Sequence, residues 1–455
     1  MTRRLQEALF ELRMARWAIA AAALWRGRMY LRAGRLYRGL NDLCWIVRVS
    51  NAGALQRIAR RLVFDTVAAL RTDPDNALVA SYRADPASEA CASLFSMAGT
   101  GSADLFRDLI VLKRATPDEK GVILLKYART FSAVMALLDM PRLMQRYTFV
   151  LEPCWAGYCD PSLLMFVTPG HPVFVQCFTE EDCRFVSDVG APLVPLRLGP
   201  ADWVDADLFA APAAVEKTYD LVMVANWGSH KRHAQLFRAL TQVTDRHVRV
   251  LLIGFPWAGR TAADIRREAA AIGNERVQVD VVEKLPAREV AARVSQCKVF
   301  VFLSRKEGDN KALVESMFAG VPAIVYDRSI GGAASRINPA TGILASDEEL
   351  GATIAYMLDH YRAFTPGEWA RAHSGSAIAT RLLDDTMRRV VTASGGRYTE
   401  SIVEKTNSPN LTYKDPASRA RFQADYDFIR SCRREPHTKR RDTVTRGAVR
   451  RDAVA

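Results

Sequence analysis

The sequence predicts an α/β protein: two doubly wound domains facing a cleft, with an added basic helical segment at the N-terminus. Three observations predict it. The chain has 455 residues, room for two to three domains at about 150 residues each. Short apolar runs alternate with helix-period segments over 121–196 and again over 220–363, the rhythm of parallel sheets covered by helices. An acidic stretch, 202–218, holding Asp202, Asp205, Asp207 and Pro212, separates the two series.

Composition narrows the class. With 49% hydrophobic and 25% charged residues, the chain is of ordinary globular type, neither disordered, collagenous nor a disulfide mini-protein. Its net charge is +13, gathered at the two ends. Residues 1–62 carry 13 Lys or Arg against 3 acids, and residues 430–451 carry 9 against 2. The rest is slightly acidic, with 41 basic and 45 acidic residues. The basic ends hold no recognisable nucleic-acid module, so no nucleic-acid partner is expected.

The eight cysteines are spread from Cys44 to Cys432 and lack the two-residue spacing of zinc or redox sites. They read as reduced thiols of a cytosolic protein. The longest apolar run near the N-terminus, Trp17–Trp25, is nine residues, where a spanning helix needs about 20. Glu7 and Glu11 precede it and Arg26 and Arg28 follow it, which does not suit a signal peptide. The expected location is cytoplasmic, with the inner face of the plasma membrane as an option.

The elements follow in order. Residues 1–62 read as a basic amphipathic helical segment. On a helical wheel for 28–40, Arg32, Arg35 and Arg38 fall within about 80° of Arg28, and Met29, Tyr30, Ala33, Leu36, Tyr37 and Leu40 oppose them, with Leu31 the exception. Such a helix suits an anionic membrane surface. Residues 63–213 form the first domain. Its stretch 63–120 has no clear rhythm beyond a turn at Gly99–Gly101. Strands then follow at Val122–Leu125, Tyr147–Leu151, Val173–Val175 and Leu193–Leu196, with helices at 129–145, after Asp160-Pro161, and at Glu180–Val189.

Residues 214–365 form the second domain. Its strands are Asp220–Val224, Val248–Gly254, Val277–Val282, Lys298–Leu303, Pro322–Tyr326 and Gly342–Leu344. Its helices lie near 231–242, 261–272, 287–296, 310–319 and 347–363. One long helical segment, 366–393, comes next. The remainder, 394–455, is rich in Ser, Asn and Arg and is expected to be a mobile basic tail.

The chemistry is concentrated in Ser304–Pro322. This stretch leaves a strand and opens a helix, where parallel sheets bind ligands. Gly308 permits close backbone approach, Asp309 or Asn310 can cap the helix, and the amides at its start can hold a phosphate. Glu307 lies before the helix and Glu315 within it. Two carboxylates so placed can accept hydrogen bonds from vicinal hydroxyls of a sugar or ribose. A second block, Leu221–His233, is a strand, a turn and a helix start bearing Lys231 and Arg232. Fixed cations there can hold an anion.

The paired Glu307 and Glu315, followed by Ala319-Gly320-Val321-Pro322, resemble glycosyltransferase family 4, the group 1 retaining glycosyltransferases of the GT-B fold. The resemblance implies that Glu307 contacts the donor sugar and Glu315 the nucleotide ribose. It implies that Gly308, Asp309 and the amides near Asn310, Lys311 and Ala312 face the donor, a UDP- or GDP-type nucleotide-sugar. Lys231 matches the family lysine. The family arginine falls near Asn226 or Trp227, neither of which is basic, leaving Arg232 to supply the second charge. Asn338–Leu344 is similar to the family's turn before its last short strand, which makes Thr341 a donor-side candidate. In the first domain, Glu152 and Trp155 look like part of an acceptor-side loop, and His171 is a further acceptor-side candidate. Gly99–Ser102 is the nearest counterpart of the family's glycine-rich loop.

The expected function is retaining transfer of a hexosyl group from a nucleotide-sugar to a glycan or lipid-linked acceptor. Two alternatives are a degenerate membrane-surface scaffold of the same fold and a nucleotide-sugar epimerase. No cofactor and no essential metal are expected. The Asp-x-Asp pairs Asp73/Asp75, Asp205/Asp207 and Asp425/Asp427 do not end strands of a nucleotide-binding half.

Overall fold

The structure is a computed structural model describing residues 13–49, 53–73, 75–90, 105–153, 159–167, 171–210, 215–408 and 410–434. Two α/β units form its body. The first is built on β1 (Leu109–Lys113), β2 (Gly121–Lys126), β3 (Tyr147–Glu152), β4 (Val173–Gln176) and β5 (Leu193–Leu196). These strands lie in sequence order, with β1 antiparallel to β2 and the rest parallel. β1 to β4 are buried along their whole length, which is why they read as unbroken apolar runs.

Among the described residues four helices precede this sheet: α1 (Arg13–Arg32), α2 (Leu36–Val49), α3 (Ala54–Arg71) and α4 (Ala77–Arg83). They belong to the first unit's core through Ala20, Leu43, Val63, Val67 and Leu78. Within the sheet run α5 (Ala128–Leu137), α6 (Met140–Arg146), α7 (Pro161–Leu164) and α8 (Glu180–Val189). Thr179 and Asp182 close a capping box on α8, and Asp160 caps α7 ahead of Pro161. Both starts are of the kind that capping chemistry predicts.

The helix expected over 28–40 is two helices. Gly34, at φ 71°, stops α1. Gly34 N donates to Leu31 O and Arg35 N to Tyr30 O, the paired bonds of a Schellman ending. The chain reverses and α2 packs back on α1 where Gly27 meets Gly39. Leu40 is therefore core, and Leu36 and Tyr37 pack against it; they are not one membrane-facing stripe with Met29.

The second unit has β6 (Tyr219–Val224), β7 (Val248–Gly254), β8 (Val277–Glu283), β9 (Cys297–Phe302), β10 (Ala323–Tyr326) and β11 (Gly342–Ala345). All pairings are parallel, in the order β11-β10-β9-β6-β7-β8. The winding reverses between β6 and β9, the doubly wound pattern. α9 (His233–Leu240), α10 (Ala262–Ala270), α11 (Ala287–Ser295), α12 (Lys311–Phe318) and α13 (Leu350–His360) cover it. One apolar cluster lies on each face of this sheet.

The segment 366–393 is two helices, α14 (Pro366–His373) and α15 (Ser376–Ala393), parted at Gly375 with φ 105°. α15 crosses back to the first unit and buries Ala379, Leu383 and Met387 in its core. The expected mobile tail is, through residue 434, folded structure. β12 (Lys405–Asn407) and β13 (Leu411–Tyr413) pair antiparallel, and α16 (Gln423–Ser431) follows. Tyr398, Ile402, Tyr413, Phe422, Tyr426 and Ile429 join the first unit's core. Tyr413 Oη donates to Val111 O at 2.7 Å, and Tyr147 Oη to Asp425 Oδ1 at 2.7 Å. These apolar and aromatic residues alternate with Arg and Ser, so composition hid their packing role. The basic cluster beyond residue 434 lies outside the described residues.

Candidate functional site

The reversal of winding between β6 and β9 opens a crevice at their C-terminal ends. Lys231 ends the short turn after β6, and Glu307 lies in the loop after β9. Lys231 Nζ donates to Glu307 Oε1. Both side chains are largely buried, at 9% and 13% exposure. Burial pushes the Lys231 ammonium down to about 8, because a desolvated cation is costly.

Asn310 completes this arrangement. Its Oδ1 accepts from Leu313 N at 2.9 Å, capping α12, while its Nδ2 donates to Glu307 Oε2 at 2.7 Å. One residue thus starts the helix and holds the carboxylate. Glu315 sits on the second turn of α12, half-buried. Burial raises its carboxyl, opposed by the Lys311 charge one turn earlier. The loop carrying Glu307 rests on Gly331, whose φ is 130° and where any Cβ would lie 2.0 Å from Glu307 O. Lys306, next to Glu307, is pushed down to about 7 by burial and by the charge of Arg48 from α2.

Several expected donor residues have side chains engaged by partners within the protein. Arg232, at φ 63°, binds Asp347 Oδ2 at 2.5 Å and lies 4.4 Å from the Tyr326 ring centre. Its charge is already paired. Asp309 is buried and points toward Arg336, accepting at 2.9 and 2.6 Å, and also accepts from Ala201 N at 3.0 Å. Arg336 binds Asp202 as well, at 2.9 Å. This triad fastens the second unit to the linker. Thr341 is fully buried; its hydroxyl donates to Arg336 O at 2.8 Å and accepts from Asn338 N. It closes its own turn. Gly308 is buried, and its carbonyl accepts from Gly332 N at 2.9 Å. Lys311 and Ala312 begin α12, as expected, but the Lys311 ammonium reaches Asn407 O at 2.6 Å.

The acceptor-side candidates fare differently. Glu152, at the end of β3, is fully buried. It accepts from Lys405 Nζ at 2.5 Å and Asn407 Nδ2 at 2.9 Å, with Lys126 Nζ 3.7 Å away. Burial opposes its charge, but those cations hold its carboxyl below the usual range. It anchors the returning C-terminal strand and cannot meet an acceptor. His171 precedes β4, hence lies at the N-terminal edge of the sheet, beside Lys120. Ligand-bearing strand ends are at the opposite edge. Trp155 and Gly99–Ser102 lie outside the described residues. The turn that follows β2, the first parallel strand, is Lys126-Tyr127-Ala128, and Tyr127 adopts φ 72° there without being glycine. Side chains rarely accept that geometry, and it concentrates at functional turns.

Members of the Asp-x-Asp pairs are engaged by basic side chains. Asp205 and Asp207 both bind Lys414, at 2.5 and 2.8 Å, and Asp427 binds Arg430 at 2.7 Å. Among the described residues no group of three or more His, Cys, Asp or Glu is placed to hold a metal ion.

Residues 205–361 match the family model described as Glycosyl transferases group 1. The match spans the second unit and takes in Lys231, Glu307, Asn310 and Glu315. The second unit is therefore similar to a group 1 glycosyltransferase domain over nearly its whole length. No curated protein matches the chain. Solved structures match at low identity. A sucrose-phosphate synthase from Thermosynechococcus elongatus is 15% identical, covers 60% of this chain and 74% of its own, and has a TM-score of 0.48. The Anabaena HepE protein in complex with UDP is 15% identical over 60% of this chain and 78% of its own, with a TM-score of 0.43. TarM of S. aureus is 15% identical over 50% of this chain and 47% of its own, with a TM-score of 0.40.

Sequence reasoning missed Asn310 as the residue that orients Glu307, and Lys405 and Asn407 as the residues that occupy Glu152. The cap position announced the first. Nothing local announced the second pair, which lies about 250 residues from its partner.

Proposed function

We propose that the chain is a retaining glycosyltransferase that moves a hexosyl group from a UDP- or GDP-type sugar to a glycan or lipid-linked acceptor. The observation that carries this reading is the buried Lys231–Glu307 ion pair at the switch point, with Glu315 on the adjoining helix. A nucleoside diphosphate entering the crevice competes with Glu307 for Lys231. That exchange frees Glu307 to accept from sugar hydroxyls, and Glu315 accepts from the ribose. The bond between the anomeric carbon and the phosphate oxygen breaks, and the acceptor oxygen bonds to the anomeric carbon. The acceptor proton passes to the leaving phosphate, while Lys231 and the amides of Lys311 and Ala312 stabilise its charge. With the cation supplied by the protein, no metal is invoked.

The direct test is to incubate the protein with UDP- and GDP-hexoses and a panel of polyprenyl- and diacylglycerol-based acceptors, then follow diphosphate release. Proton NMR of the product reads the anomeric configuration. Release that requires acceptor and Lys231, with configuration retained, supports the reading. An inverted product would sink the retaining mechanism, and no release with any donor would sink the transferase assignment.

A further inference from the structure

The first two helices carry a feature the catalytic crevice does not use. On α1, Met14 is 82% exposed, Trp25 69%, Met29 45% and Trp17 37%. With Ala18 and Ala21, also exposed, they fall in one arc of the helix about 120° wide. The opposite arc, Ala20, Ala23, Leu24 and Gly27, is buried against α2. The outward arc runs for about 22 Å at 1.5 Å per residue and ends at exposed Arg28 and Arg32. Residues 13–49 hold eight Arg and a single acid, Asp42, which binds Arg26 at 2.6 Å.

Two features say what covers this face. Exposed tryptophan with flanking arginine is the composition of a helix lying in the bilayer interface, with rings at headgroup depth and guanidinium groups on phosphate. One end of the helix also lies toward the second unit. α1 and α2 run antiparallel about the Gly27–Gly39 contact, so the Trp17 end of α1 lies at the Arg48 end of α2. Arg48 binds Asp160 at 2.8 Å, and its charge helps burial to lower the proton affinity of Lys306, next to Glu307.

We infer that the outward face of α1 docks on an anionic phospholipid surface, seating Met14, Trp17, Trp25 and Met29 in the interface and Arg28 and Arg32 on lipid phosphates. Docking itself stands on α1 alone. That it delivers a lipid-linked acceptor rests on the glycosyltransferase reading above.

The test is flotation of the full-length protein with vesicles of phosphatidylcholine alone or with 30 mol% phosphatidylglycerol, about. Wild type should float with the anionic vesicles and much less with neutral ones. The Trp17→Ser/Trp25→Ser double variant should partition at least ten-fold less, and Arg28→Glu/Arg32→Glu should lose the preference for anionic lipid. Trp257→Ser, at a tryptophan 47% exposed elsewhere, should float as wild type. Circular dichroism and nucleotide binding, unchanged in the variants, show that the fold and the crevice are intact. Equal flotation of the double variant and wild type overturns the inference. So does self-association that the double variant abolishes without any vesicle binding by wild type.

Discussion

Lys231 and Glu307 are 76 residues apart in sequence and form an ion pair between the two loops that flank the switch point of the second sheet. The pair sets one largely buried cation against one largely buried carboxylate. Burial places the Lys231 ammonium near 8, so its charge is lost as pH rises through that value. Nucleoside diphosphate binding is therefore expected to weaken between pH 7 and pH 9.5, and Lys231→Ala should show little pH dependence there. Stability moves the opposite way. The unfolded chain keeps that proton up to about 10.4, so this residue's contribution to stability rises with pH across the same window. Calorimetric titration and thermal melts at the two pH values check both signs.

Asn310 caps α12 with its oxygen and holds Glu307 with its nitrogen. Asn310→Asp keeps an equally good cap but sets a carboxylate against Glu307. The expected result is a melting temperature within about 2 °C of wild type, with kcat/KM at least ten-fold lower, about 1.4 kcal/mol. A comparable loss in melting temperature and activity would mean that Asn310 serves only the helix.

Arg336 is buried between Asp202 and Asp309. Removing it leaves two carboxylates facing each other without their cation. Arg336→Met is expected to cost about 3–5 kcal/mol in denaturant unfolding. Adding Asp202→Asn and Asp309→Asn should recover part of that loss. Full destabilisation in the triple variant would show that the packing of Arg336, and not its charge, holds the linker.

Truncation after residue 393 removes Lys405, Tyr413, Tyr426 and Ile429. Glu152 then keeps only the more distant Lys126 as a cation, and the first unit's core opens. The truncated chain is expected to be insoluble, or to bind a hydrophobic dye strongly.

The second unit was the more legible part. Its strands are buried runs separated by helices of ordinary period, and its site follows from Glu307 and Glu315 at a strand-to-helix junction. Lys231 was legible for the same reason: it follows the neighbouring strand. The side chains that turned away from the site were not. Asp309 has the right spacing for a donor contact, but Arg336 captures it from 27 residues on. Arg232 sits beside Lys231 in sequence, yet its left-handed backbone sends it to Asp347. Glu152 ends a strand as a ligand-binding residue would, but a lysine from the far end of the chain neutralises it. Long-range partners decided each case, and none leaves a local signal. In the N-terminal segment the wheel over 28–40 assumed one helix, and Gly34 broke it. The exposed aromatic arc lies one helix earlier.

Titration of the purified chain with UDP and GDP, beside Lys231→Ala and Glu315→Ala, tests the central claim most directly. The account predicts saturable binding of at least one nucleotide by wild type, with each substitution weakening it ten-fold or more, about 1.4 kcal/mol. Absence of binding, or equal binding by wild type and both variants, would contradict it.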